Sequence, residues 1–297
     1  MIRILRHFVV VLLLAPMLAW SQMASLPKGT PIAVTAPDGV RIATYEWGNP
    51  NGPELLFIHG FSQSYLSFSK QFASDLARDY RIVAFDLRGH GESDKPTTLI
   101  PYTEGRRWAD DVAAVIKAAG LKRPYLVGWS MGGRVISQYL DVYGDDALAG
   151  IVFVSSRTAV TPTRTFLGAG AATLGQMQVI ANDDNVRATT AFLHECFETQ
   201  PASDEFAYML AYNMLTPPHA RKGAQTWPGK FDDTLKRVRV PTLIIHGTKD
   251  RIIVKEAAEF TASMIQGSKL VWIEGSGHSP FWEKTDAFNA ALRAFAR

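Results

Sequence analysis

Three residues of types able to attack a carbonyl carbon together, Ser130, Asp250 and His278, occur in that order along the chain. Ser130 is the centre of Gly128-Trp129-Ser130-Met131-Gly132, a G-x-S-x-G pentapeptide. The apolar run Pro124-Tyr125-Leu126-Val127 before it predicts a short buried strand. After it, Val135, Ile136, Tyr139 and Leu140 share one side of a helix. A strand that turns sharply into a helix needs small residues beside the turn, because a side chain at either flank would strike neighbouring backbone. Such a turn holds the serine hydroxyl out at the edge of the sheet, beside the positive end of the helix. A serine hydroxyl is a weak nucleophile until a base removes its proton, so the same chemistry calls for a histidine and a carboxylate to orient it.

Both partners stand at the ends of further strands. Leu243-Ile244-Ile245-His246 runs into a polar loop ending at Asp250, and Leu270-Val271-Trp272-Ile273 runs into Glu274-Gly275-Ser276-Gly277-His278. Upstream, Leu55-Leu56-Phe57-Ile58 ends in His59-Gly60-Phe61, where a flexible backbone can aim an amide at a developing oxyanion. Phe61 and Met131 are therefore the candidate oxyanion-hole residues. Asp232 and Asp233 compete with Asp250 but read as solvated linker residues, and the acid position after the sixth strand holds Ser155-Ser156.

The order Ser130, Asp250, His278 is that of the α/β-hydrolase type. The chain resembles that superfamily over nearly everything after its N-terminal segment. The matching stretches are His59-Gly60-Phe61, Asp86-Leu87-Arg88-Gly89-His90-Gly91-Glu92-Ser93, the elbow at Ser130, Gly247-Thr248-Lys249-Asp250 and Gly277-His278. Within the superfamily it is similar to small serine esterases, enol-lactonases, carbon–carbon-bond hydrolases and cofactor-free haloperoxidases (perhydrolases). Dehalogenases and epoxide hydrolases of this fold carry aspartate at the elbow, and Ser130 argues against both. The resemblance implies hydrolysis of small, fairly apolar carboxylic esters or lactones through an acyl-enzyme, without metal, nucleotide or organic cofactor. Perhydrolysis, carbon–carbon cleavage and a ligand sensor on a hydrolase scaffold are the alternatives. It gives Asp86 and the Arg88–Gly91 run a structural turn and no catalytic role, and places His59 beside the oxyanion loop.

The elements that must position these residues alternate. Thr30 to Ala36 and Val40 to Trp47 read as an antiparallel hairpin turning at Asp38-Gly39. Core strands are expected at Leu55–His59, Arg81–Asp86, Pro124–Val127, Gly150–Val154, Thr242–His246 and Lys269–Ile273. Helices are expected at Phe68–Arg78, Glu104–Ala119, Ser130–Tyr143, Lys255–Gln266 and Asp286–Ala296. The pattern is α/β: a mostly parallel eight-stranded sheet flanked by helices. Alternation fails over residues 155–238, where Gly168–Ala172, Val186–Phe197 and Glu205–Met214 read as helical between proline-rich loops. The resemblance implies that this stretch is a helical cap inserted after strand six, dividing the core into residues 22–154 and 239–297.

Trp129, Phe166, Phe281 and His59 are the candidate pocket residues. Trp282, Met177, Phe192, Tyr208, Met209 and Tyr212 could join an apolar site, though such residues at helical spacing more often form core. The lone Cys196 can form no intrachain disulfide and reads as a buried helix face, with His194 pointing elsewhere.

Length and composition suit one large core: 297 residues, 47% hydrophobic and 20% charged. The first 21 residues read as a signal peptide, with Arg3, Arg6 and His7, an apolar run to Trp20, and small residues around Ser21. Export to the periplasm or medium is expected, with a retained N-terminal anchor as the alternative. Removing that segment takes two arginines and no acid from the formal +3, leaving 29 Lys+Arg against 28 Asp+Glu, or +1. Such a balance, without a basic stripe, offers no basis for nucleic-acid binding. A small-molecule ester or lactone is the expected partner, and the oligomeric state is open.

Overall fold

The computed structural model describes residues 27–160, 165–227 and 229–297. The expected signal peptide therefore lies outside the described residues. Among these, no helix is long and apolar enough to cross a membrane.

Eight strands form one sheet: β1 (Thr30–Ile32), β2 (Thr44–Gly48), β3 (Glu54–Ile58), β4 (Arg81–Phe85), β5 (Tyr125–Trp129), β6 (Gly150–Val154), β7 (Thr242–Gly247) and β8 (Lys269–Ile273). Their spatial order is β1-β2-β4-β3-β5-β6-β7-β8. Only β2 runs against its neighbours, pairing antiparallel with β1 and β4, while every pairing from β4 to β8 is parallel. Register carries β3 and β5 side by side, Ile58 opposite Gly128, so the loops leaving them emerge together at one edge.

Strand periodicity splits the apolar residues between two cores. Leu56, Ile58, Val83, Phe85, Leu126, Ile151 and Phe153 face one side. Leu55, Phe57, Ile82, Ala84, Val127, Val152 and Val154 face the other. A parallel sheet covered on both faces needs such double burial, and β5, β6 and β7 are buried at every residue. The β1–β2 hairpin turns at Asp38-Gly39, with Gly39 at φ +85° and Ala36 N–H donating 2.8 Å to the Val40 carbonyl.

Most flanking helices fall where expected, including Gly105–Ala118, Met131–Tyr143, Glu256–Met264 and Thr285–Phe295. The expected helix Phe68–Arg78 is instead three short pieces, Tyr65–Phe68, Ser69–Phe72 and Leu76–Asp79. Serines break it. Ser74 Oγ donates to the Gln71 carbonyl at 2.8 Å and accepts from the Leu76 amide at 3.3 Å, bonds that compete with the helical ladder.

Between β6 and β7 the chain is helical, with Asn182–Glu195, Ser203–Met214, Pro218–Thr226 and Asp232–Lys236. Gly168–Ala172, expected as a helix, holds only a 3₁₀ turn at Ala169–Ala171. Helix Pro218–Thr226 begins within a stretch read as loop, because Pro218 at its first position needs no amide donor there.

Candidate active site

The turn from β5 into helix Met131–Tyr143 is strained at one residue. Ser130 has φ 55° and ψ −114°, outside the regions ordinary residues prefer. The glycines around it make this possible. A Cβ on Gly132 would lie 2.2 Å from the Ile58 carbonyl oxygen, and one on Gly128 would lie 2.7 Å from the Gly132 backbone. Ser130 N–H donates 2.9 Å to the Val154 carbonyl, which anchors the turn to β6.

Asp250 and His278 are brought together from the loops after β7 and β8. His278 Nδ1 donates to Asp250 Oδ2 at 2.8 Å, and both side chains are 1% exposed. Asp250 Oδ1 accepts the Ile252 and Ile253 amides, each at 2.9 Å. Burial alone would raise the Asp250 carboxyl, but His278 and these donors outweigh it and hold it below its ordinary value. The His278 carbonyl accepts from Trp129 Nε1 at 2.8 Å, tying the histidine loop to the residue before Ser130. His278 Nε2 is buried and has no hydrogen-bond partner among the described residues.

Two neighbours not singled out in the sequence support this pair. His246 Nε2 donates to the Ile253 carbonyl at 3.0 Å and passes 3.5 Å from Asp250, while burial lowers its basicity and favours the neutral ring. Glu283 accepts the Gly277 amide at 2.8 Å, and the Glu198 and Thr199 amides at 2.9 and 2.8 Å. One carboxylate thus fastens the loop carrying His278 to the region between β6 and β7.

The oxyanion candidates line one cavity with Ser130. Met131 is the first residue of its helix, where the amide has no intrahelical acceptor. Phe61 belongs to the loop whose Gly60 faces Ser130: a Cβ there would lie 3.1 Å from Ser130 Cβ. That loop is held by two histidines. His59 Nε2 accepts the Leu87 amide at 3.0 Å and its Nδ1 donates to the Gly60 carbonyl at 2.8 Å. His90 Nε2 accepts the Ser62 amide at 3.1 Å and its Nδ1 donates to the Arg88 carbonyl at 2.9 Å. Burial pushes His59 well below its ordinary value and His90 to about 4, so both stay neutral and keep these bonds. The Arg88–Gly91 turn is thereby the support of the loop that carries Phe61.

A small cavity, about 30 Å³, opens over Ser130. Phe61, Met131, Leu167, Leu174, Phe192, Ile252 and Ile253 give it apolar walls, and Arg134, Arg157 and Gln225 add polar groups. Of the apolar residues weighed from sequence, Phe192 is there. The four expected pocket residues lie elsewhere. His59 is fully buried with both ring nitrogens bonded to backbone. Trp129 and Phe281 belong to the core on the opposite face of the sheet, ring centroids 4.8 Å apart. Phe166 packs on Phe260 at 5.3 Å and is absent from this lining. Cys196 is buried at a helix end, where burial raises its thiol far above the range of a reactive thiolate, and His194 donates or accepts at Gln200. Arg134 was legible only as the residue one turn after Ser130. Among the described residues no group of three His, Cys, Asp or Glu could hold a metal ion.

Comparison with known proteins agrees with this architecture. The family model for the alpha/beta hydrolase fold matches residues 53–285. The crystal structure of an esterase from Rhodococcus sp. ECU1013 superposes with a TM-score of 0.84 at 31% identity, over 89% of this chain and 97% of that one. A bifunctional esterase/perhydrolase from Acinetobacter calcoaceticus is 28% identical over 286 residues, 89% of this chain and 99% of its own. A non-heme chloroperoxidase from Streptomyces lividans is 27% identical over 275 residues, again 89% and 99%. With a sheet, an elbow and relatives of this kind, the chain belongs to the α/β-hydrolase family, in its esterase and haloperoxidase branch.

Proposed function

We propose that the protein is a serine hydrolase of small carboxylic esters or lactones, working through an acyl-enzyme on Ser130. The observation that carries this is the 2.8 Å bond from His278 Nδ1 to Asp250, which leaves the buried Nε2 of His278 without a partner. Donation through Nδ1 fixes the tautomer in which Nε2 can accept a proton.

In this reading Ser130 Oγ attacks the carbonyl carbon while His278 Nε2 takes the hydroxyl proton. Asp250, kept ionised by its donors, stabilises the imidazolium. The Phe61 and Met131 amides bind the oxyanion, each such donor typically contributing about 3 kcal/mol. The imidazolium returns its proton to the leaving alkoxide, and the acyl group stays on Ser130. Water then attacks, giving its proton to the same histidine, and collapse of the second tetrahedral adduct releases the acid and restores Ser130.

The test is hydrolysis of p-nitrophenyl esters from acetate to decanoate by the protein and by Ser130→Ala. We expect turnover on the shorter esters and a loss of at least ~10⁴-fold in the variant. Equal turnover by the two proteins sinks the mechanism. The similarity to a bifunctional esterase/perhydrolase favours a second activity: peracid formation, with hydrogen peroxide replacing water at the acyl stage. Peracid made from acetate and peroxide, and lost in Ser130→Ala, is its signature. Export through residues 1–21 belongs to the same proposal, and the protein's appearance in the cytoplasmic fraction alone would refute it.

A further inference from the structure

Two arginines line the cavity over Ser130, and neither has a carboxylate partner among the described residues. Arg134 lies four residues after Ser130 on the helix that the elbow opens, so both residues share one helical face. It is 2% exposed, and its guanidinium carbon stands 3.8 Å from the centroid of the Trp227 ring. Its Nε is buried with no hydrogen-bond partner among the described residues. Arg157 enters from the loop after β6, is partly exposed, and among the described residues makes one long side-chain hydrogen bond, 3.5 Å from Nη1 to the Thr165 carbonyl. Burial pushes both guanidinium groups below their ordinary value, Arg157 adds like-charge repulsion at Arg134, and among the described residues no carboxylate offsets either.

The other buried arginines are handled differently. Arg88 has two carboxylates, and Arg221 donates to the Met177 and Asn213 carbonyls and to Asn185 and Thr189 side chains. A buried charge is costly unless it is hydrogen-bonded or paired, and Arg134 has neither the carboxylates of Arg88 nor the carbonyl and side-chain acceptors of Arg221 among the described residues. Guanidinium is planar and matches carboxylate geometry with paired donors. Trp227 packs against the Arg134 guanidinium, whose Nε has no hydrogen-bond partner among the described residues. The same lining is otherwise largely apolar, with Leu174, Phe192 and Ile252 among its walls.

We propose that Arg134 and Arg157 form a carboxylate-recognition site, and that the preferred substrates are esters or lactones carrying a carboxylate beyond a short apolar segment. The inference rests on the reading of Ser130 as nucleophile and narrows its substrate class.

Matched substrates test it: monoethyl adipate and ethyl hexanoate have the same acyl length and differ only in the terminal carboxylate. Hydrolysis is followed by pH-stat for the protein, Arg134→Gln, Arg157→Gln and Arg134→Lys. The unsubstituted protein should prefer monoethyl adipate in kcat/KM. Each glutamine variant should lower the anionic-to-neutral ratio at least tenfold, chiefly through KM, and Arg134→Lys should restore part of it. Calorimetric binding of both esters to Ser130→Ala reads the site without turnover, and there monoethyl adipate should bind more tightly. Equal binding of the two esters to Ser130→Ala, or ratios unchanged in both glutamine variants, overturns the proposal. Hydrolysis that survives in Ser130→Ala instead overturns the nucleophile assignment and leaves the binding comparison to judge the arginines.

Discussion

Arg88 in the turn after β4 and Arg134 on the helix after β5 are both buried cations within the same sheet edge, 0% and 2% exposed. Around Arg88 every donor is used. Nε and Nη2 bind Asp111 at 2.7 Å each, Nη1 reaches Asp38 at 2.9 Å and the Pro101 carbonyl at 3.1 Å, and Asp38 is shared with Arg107 at 2.6 Å. Around Arg134 there is an aromatic face and an open cavity. The first region is a closed polar web whose product is position: it supports the turn that holds His90, and through it Ser62 and the loop of Phe61. The second is left open where a ligand would enter. Interaction energy is complete where the structure must be rigid and incomplete where something else must bind.

The sharpest way to break that contrast is to remove Arg88. Arg88→Met leaves the buried Asp111 carboxylate without its two-pronged partner, and breaking a buried pair from one side typically costs about 3–5 kcal/mol. Urea unfolding monitored by tryptophan fluorescence should show a loss of that size with an unchanged slope. A change below about 1 kcal/mol would mean that the web is ornamental and that the loop of Phe61 is held by other contacts.

A smaller effect comes from the carboxylate at the centre of the turn. Asp86 Oδ1 accepts the Tyr65 amide at 2.9 Å and Oδ2 the Glu92 amide at 2.7 Å. Burial still raises its carboxyl to about 6, with the Glu92 charge adding to it, against the lowering effect of these bonds. The folded chain therefore holds a proton at Asp86 between about pH 4 and 6, where the unfolded chain has released it. Folded protein binding more protons means stability that falls as pH rises through this window and levels above it. The difference in unfolding free energy between the protein and Asp86→Asn should shrink by about 3 kcal/mol from pH 4 to pH 7. A difference independent of pH would show that Asp86 is ionised throughout.

The two regions also differ in what their sequence disclosed. The strands and the elbow follow local rules, and β6 at Gly150–Val154 and β8 at Lys269–Ile273 lie where apolar runs end at small or polar residues. The positions of Ser130, Asp250 and His278 after β5, β7 and β8 were legible because strand ends place them, whatever the intervening chain does. The structure brings Asp250 and His278 into direct contact. The pocket was not legible, because it is made by long-range packing. Arg134 is positioned by Trp227, and Phe192 reaches the cavity from a helix more than fifty residues after the elbow. Trp129 and Phe281 misled for the same reason: flanking Ser130 and His278 in sequence, they pack in the other core, Trp129 from the end of β5 and Phe281 from the helix Pro280–Glu283. Serine competition for backbone bonds in residues 67–76 likewise leaves no mark on hydrophobic spacing.

The smallest expected effect is the most telling for the contrast. Arg134→Met removes a charge that has no counter-ion, so it recovers desolvation free energy that Arg88→Met would not. Against this stand the lost stacking over Trp227, worth about 0.5–2 kcal/mol for such a cation–π contact, and little else, since methionine adapts to irregular apolar space. The two terms oppose each other, and unfolding free energy should stay within about 1 kcal/mol of the unsubstituted protein. Thermal unfolding with and without monoethyl adipate separates the contributions. The ester should raise the midpoint of the Ser130→Ala protein and leave that of Ser130→Ala with Arg134→Met nearly unmoved. A destabilisation of several kcal/mol would place Arg134 in the same class as Arg88, a structural cation whose partner is the aromatic pair Trp227 and Trp108, stacked 5.9 Å apart beneath it.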